Sequence, residues 1–172
     1  AITGVSVAFS RGIKEAYEAV AAYIWCMVDD VHPYENCLEE LLNALPDLGG
    51  IAAPLRFYNV QEVAIRVPKH SNLNTPFHKP KEDVTQNDSQ KSKSKPINVE
   101  AISFEGPLIS RSVVDRIGLP EKNMFIFWDD TVYSYRAYNA KFPILLVPKS
   151  RLYKEDLRVT GKNNEIRSWK YP

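Results

Sequence analysis

The chain has 172 residues, and its 22 Lys and Arg nearly balance 21 Asp and Glu, for a formal net charge of +1. That length suggests one domain with one sizeable core, and the near-neutral balance argues against a general nucleic-acid binder. Hydrophobic residues at 44% and aromatics at 11% exclude a disordered or collagen-like chain, and no apolar run approaches the roughly 20 residues of a membrane helix. Two cysteines, Cys26 and Cys37, do not make a disulfide framework and fit a reducing compartment. The start, Ala1-Ile2-Thr3-Gly4, has no basic segment or long apolar core, so no secretory leader is expected, and the absent initiator Met suggests a trimmed chain or a fragment.

Ile13, Ala16, Tyr17, Val20 and Ile24 recur at helical spacing, with Ser10 placed to cap that helix. Tyr23 to Val28 is a nearly continuous apolar run, which suits a strand buried on both faces in a parallel sheet, and it stops at Asp29-Asp30. Pro33 opens a second predicted helix with Leu38, Leu41, Leu42 and Leu45 as its apolar stripe, and Pro46 ends it. Asp47 to Gly50 reads as a turn and Ile51 to Leu55 as a short buried strand. Strand alternating with helix implies an α/β sheet with right-handed crossovers.

Residues 69–97 break the pattern. Between Pro76 and Pro96 only Phe77 and Val84 are clearly apolar, so the stretch reads as a mobile loop, either a lid or a solvated insertion. Its Lys-rich end, 91–95, reads as solvated, with contact to anionic phospholipid as the minority expectation. Order returns at Val99 to Phe104, and Gly106-Pro107 turns the chain. Ser110 then caps a helix with Val113, Val114 and Ile117 inward, which Gly118 ends. Met124 to Trp128 is a predicted strand that runs into Asp129-Asp130; a helix over about 131–138 and a last buried strand over 144–148 follow.

The informative feature is the recurrence: two apolar strands each end in a pair of aspartates. Ligands of open α/β sheets bind at the carboxyl ends of strands. One pair can hold Mg²⁺ or Mn²⁺ through hard oxygens, and the other can supply a general base. Each pair can equally be turn or capping chemistry, and Asp130 can simply cap the helix after it. His32, His70 and His78 are too scattered for a metal site, and His32 reads as a surface residue or as one approaching a diphosphate. Trp128 and Tyr133 are candidates for stacking on a sugar, whereas Tyr135 and Tyr138 share a helix face and suit core packing.

The run from Arg11-Gly12-Ile13-Lys14 through Tyr23-Ile24-Trp25-Cys26-Met27-Val28-Asp29-Asp30-Val31-His32-Pro33 resembles the middle of inverting family 2 glycosyltransferases. Phe104-Glu105-Gly106-Pro107-Leu108-Ile109-Ser110-Arg111, Ile117 to Pro120, and Phe125 to Arg136 resemble the second half of the same domain, in order. The nearest branch looks like the bacterial galactofuranosyl- and rhamnosyltransferase-like enzymes. The likeness covers about 4–55 and 98–150. It implies a GT-A fold, a mostly parallel sheet flanked by helices, here partial and truncated at the N-terminus. Residues 1–150 would be the catalytic domain and 151–172 the start of a C-terminal extension.

By that resemblance Asp30 ligates Mn²⁺ or Mg²⁺, Asp29 is its neighbour in the donor site, and Asp130, beside Asp129, deprotonates the acceptor. Trp128 and the Gly106-Pro107 turn lie near the acceptor. The implied activity is transfer of a sugar from a nucleoside diphosphate, UDP foremost, to a cell-surface glycan or lipid-linked acceptor. The implied setting is the cytoplasm, or the inner face of the membrane in polysaccharide biosynthesis. Three positions depart from the family pattern: Val28 stands for Asp, Val132 for Glu, and no metal-binding His occurs near Tyr153-Lys154. Those departures motivate the alternative of a catalytically inactive module that binds carbohydrate or protein. A Mg²⁺-dependent nucleotidyl or phosphoryl transferase is the third reading.

Overall fold

The computed structural model describes residues 4–58, 63–64, 67–70, 82–84, 95–124 and 128–155. The order of elements is α1 (Val5–Glu18), β1 (Tyr23–Trp25), β2 (Val31–Pro33), α2 (Cys37–Ala44), β3 (Ile51–Tyr58), β4 (Val63–Ala64), β5 (Val67–His70), β6 (Glu82–Val84), β7 (Ile97–Asn98), β8 (Leu108–Ser110), α3 (Arg111–Ile117), α4 (Asp129–Asn139) and β9 (Ile144–Lys154). Seven strands form one sheet in the order β1-β8-β3-β9-β2, with β4 on β3 and β7 on β9, while β5 and β6 pair separately.

The centre of the sheet is the parallel pair β3 and β9, joined from Ile51–Ile144 to Tyr58–Lys154. Side chains alternate there as the pleat requires. Ile51, Ala53, Leu55, Ile144 and Leu146 face α1, α3 and α4, with Ile13, Val113, Val114 and Tyr133 across from them. Ala52, Leu108, Leu145 and Val147 face the other way, onto Cys37 and Leu41 of α2. Helices therefore cover both faces, which is the α/β architecture the pattern predicts. Strand direction is more mixed than expected. Apart from β3 with β9, the pairings among described residues are antiparallel.

Several local expectations are corrected. α1 starts at Val5 rather than after Ser10, so Ser10 is a buried residue inside the helix and caps nothing. β1 spans three residues, not six, because its partner β8 offers only Leu108 to Ser110. It lies at the sheet's edge with Tyr23 exposed, not buried on both faces. Pro33 ends a strand instead of opening a helix: β2 pairs with the far end of β9, and α2 begins at Cys37. Ser110 does precede α3 but makes no capping bond; its hydroxyl accepts from the Gly50 N–H at 2.8 Å instead.

Within 69–97, the described part includes strand residues of β5 and β6, which pair antiparallel. Residues 95–97 are described too, with Ile97 in β7, and the rest of that expected loop lies outside the described residues. So does most of the predicted strand at 124–128, namely 125–127. Position 151, the expected start of an extension, falls inside β9, and 156–172 are not described. No helix among the described residues is long and apolar enough to cross a membrane.

Candidate functional site

The two aspartate pairs belong to separate parts of the chain, Asp29-Asp30 after β1 and Asp129-Asp130 at the start of α4, and the turn at Gly106-Pro107 ties the end of β1 to the segment before β8. The Cys26 N–H donates to Pro107 O at 2.9 Å, and the Gly106 N–H donates to Cys26 O at 3.0 Å. The Trp25 indole N–H donates to Gly106 O at 2.9 Å. These bonds tie the end of β1 to the segment 101–107. Gly106 has φ +90°, where a side chain is strained. A Cβ there would also lie 2.5 Å from Leu152 Cδ1 and 2.9 Å from Pro54 Cγ. Both residues of the turn are buried. Gly106 and Pro107, expected near the acceptor, thus lie in the scaffold and do not line the cavity described next.

A cavity of about 210 Å³ opens where these segments meet, lined by Val28, Ser103, Glu105, Trp128, Asp129 and Asp130, with Val5, Phe9 and Phe104. The sequence separates Val28 from Asp130 by a hundred positions; the fold brings them to one cleft. Trp128 is 57% exposed and precedes α4 with φ +70°. A non-glycine residue in that region stores about 1 kcal/mol or more. The conformation stands the indole beside the cavity and begins the helix at once with Asp129 and Asp130. Two carboxylates in a first turn suit the positive end of the helix dipole.

The two carboxylates differ. Asp130 Oδ1 accepts from the Thr131 N–H at 2.6 Å and from the Thr131 hydroxyl at 3.2 Å. Burial pushes its carboxyl above the usual range, the Thr131 N–H opposes that, and neighbouring Asp129 adds to it. Asp129 is only 7% exposed, and its Oδ2 has no hydrogen-bond partner among the described residues. Ser103 Oγ is the other buried side-chain oxygen without one among the described residues. Both line this same cavity. A buried orphan oxygen costs about 1–3 kcal/mol, so two in one cleft call for hydrogen-bonding groups from water or from a ligand.

The other aspartates are placed differently. Asp29 is exposed and borders a second, larger hollow between α1 and β1, about 620 Å³, lined mainly by apolar residues. Asp30 Oδ2 lies 3.3 Å from Lys154 Nζ. Lys154 also pairs with Glu105, and Glu105 with Arg56. Burial opposes charge on Glu105, but Arg56 and Lys154 together hold its carboxyl below the usual range.

The metal implied at Asp30 can be tested against these neighbours. No three His, Cys, Asp or Glu side chains among the described residues come close enough to share an ion. The group beside Asp30 is an ammonium, which has no lone pair to donate. The described residues around Asp30 therefore do not fit a divalent cation there. His32 is a surface residue, 2.7 Å from Glu155 Oε1. Tyr133 is 1% exposed and packs on Phe104, so it belongs to the core and is closed to sugar stacking. Tyr138 is exposed rather than packed. Sequence reasoning missed Ser103, Glu105 and Lys154 as site residues. Glu105 stands inside a segment that the sequence reading singled out, 104–111, and Lys154 beside the position, near Tyr153-Lys154, where that reading looked for a histidine.

No protein-family profile and no curated protein sequence matches the chain. Among solved structures it is similar to the crystal structure of GalNAc-T7 with UDP, GalNAc and Mn²⁺, with a TM-score of 0.63 at 14% identity. The likeness covers 90% of this chain and 31% of that one. It shows the fold: a partial GT-A fold, of the kind found in a glycosyltransferase.

Proposed function

We propose that this chain carries the acceptor side of a glycosyltransferase active site, transferring a sugar from a nucleoside diphosphate to a glycan hydroxyl with inversion. The observation that carries the reading is the single cavity that gathers Trp128, Asp129, Asp130 and two partnerless buried oxygens. A sugar supplies what such a cavity lacks, several hydroxyls beside an apolar ring face. The similar structure was solved with UDP and GalNAc, which favours a UDP-sugar as donor. The family 2 resemblance supports inversion and a cell-surface glycan or lipid-linked acceptor.

The chemistry follows from the two carboxylates. Trp128 stacks on the acceptor sugar, while Asp129 Oδ2 and Ser103 Oγ take its hydroxyls. Asp130 removes the proton from the attacking hydroxyl, whose oxygen bonds to the anomeric carbon. The bond from that carbon to the diphosphate breaks, and its electron pair leaves on the phosphate oxygen. A positioned base of this kind contributes about 10²–10⁴-fold.

The test is release of UDP from UDP-sugars in the presence of oligosaccharide acceptors. Asp130→Asn is expected to lose transfer by about 10²-fold or more while keeping donor binding. Full activity in that variant would sink the assignment. Glycan binding without any turnover in the native chain would favour the non-catalytic module.

A further inference from the structure

The ion pair at Asp30 is built by the backbone, not left to the reach of flexible side chains. β2 runs antiparallel to the end of β9, with Val31 opposite Lys154. The Glu155 N–H donates to Asp30 O at 2.9 Å. Asp30 and Lys154 are therefore held side by side by main-chain bonds on both sides of the pair. Lys154 joins Asp30 to Glu105, and Arg56 closes the other side of Glu105. Four segments thus meet through two cations and two carboxylates: the turn after β1, β3, 101–107 and β9.

A divalent ion approaching Asp30 would meet an ammonium 3.3 Å from its oxygen. Lys154 is itself placed to act as a cation. Two of its three N–H directions go to Asp30 and Glu105, which leaves one donor without a partner among the described residues. Its side chain, with those of Asp30 and Glu105, is about a fifth exposed (18%, 20% and 22%), so a phosphate can reach it. Glu105 also lines the cavity, which puts the ammonium one side chain away from Asp130's cleft.

We propose that Lys154 is a built-in cation that meets the donor's diphosphate at Asp30 in place of a divalent metal, so that nucleoside-diphosphate binding is metal-independent. This inference rests on the glycosyltransferase reading above. It adds a charge source for the leaving group that the family resemblance does not supply, since the resemblance assigns that work to the metal. Arg56, paired to the same carboxylate, keeps Glu105 from cancelling the lysine alone.

The test is calorimetric titration with UDP, in Mn²⁺ and in chelator, on the native chain, Lys154→Gln and Lys154→His. The native chain is expected to bind UDP equally in both buffers. Lys154→Gln should lose roughly tenfold or more in both, the scale of one charge-assisted contact. Lys154→His should bind UDP only with Mn²⁺. As a readout that needs no variant, Mn²⁺ paramagnetic resonance on the native chain should show the free aqueous ion. UDP binding that requires Mn²⁺, or Mn²⁺ held by the native chain, overturns the inference and leaves the glycosyltransferase reading standing. Absence of UDP binding in either buffer overturns the inference and that reading together.

Discussion

Asp130 serves two opposed requirements. Catalysis needs its carboxylate free to take a proton, while burial favours the protonated form and lifts its pKa above the ordinary carboxylate value. The folded state therefore holds this proton to higher pH than the unfolded chain does. The stabilising contribution is complete below the ordinary carboxylate pKa and is lost as pH rises through the raised one. Two outcomes follow. The acid limb of kcat/KM lies above the usual carboxylate range. Asp130→Asn, which keeps the acceptor for the Thr131 N–H, melts higher than the native chain at pH 7 and level with it in acid. Melting curves at the two pH values check this; a lower melting point at pH 7 would contradict it. Asp129 differs in kind, since its buried Oδ2 waits for a donor. No residue type or spacing in the sequence announces that difference. It depends on which neighbours fill the helix's first turn and on Ser103 arriving from another segment.

At the scale of elements, the turn at Gly106 fixes the end of β1 against 101–107 through three hydrogen bonds. Gly106→Ala puts a methyl group into Leu152 and Pro54 at a strained φ. It is expected to cost about 1–3 kcal/mol, read as a lower urea midpoint with unchanged slope. A cost near zero would show that the turn relaxes freely. The helices were legible from stripes at helical spacing, and two of them also from a stop signal: Gly118 closes α3, and Pro46 follows α2. Their starts were less so. Ser10 looks like a cap, yet Gly4 precedes α1 and the pattern runs unbroken from Val5. β2 and β8 were missed for one reason: three residues give no periodicity, and their pairing comes from partners far along the chain. The Lys154–Asp30 pair was hidden in the same way, since its cause is the register of β2 on β9.

At the scale of the whole molecule, the parallel pair β3 and β9 organises both cores, and its Arg56 and Lys154 hold Glu105, which lines the cavity. Leu146 is fully buried in the larger of the two cores. Leu146→Ala is expected to cost about 2–5 kcal/mol, measured by denaturant unfolding; a loss under 1 kcal/mol would mean that the sheet does not depend on this core. The α/β class was readable from alternating apolar runs and amphipathic helices. The mixed strand directions were not, because an apolar run looks the same whichever way its neighbour points. The measurement that bears most directly on the central claim is saturation-transfer difference NMR with UDP-sugar and oligosaccharide acceptors, on the native chain and Trp128→Ala. The account predicts saturation of acceptor sugar protons in the native chain and its loss in Trp128→Ala, with donor signals kept. No saturation in the native chain, or acceptor signals unchanged without the indole, would contradict a sugar bound in the cavity beside Asp129 and Asp130.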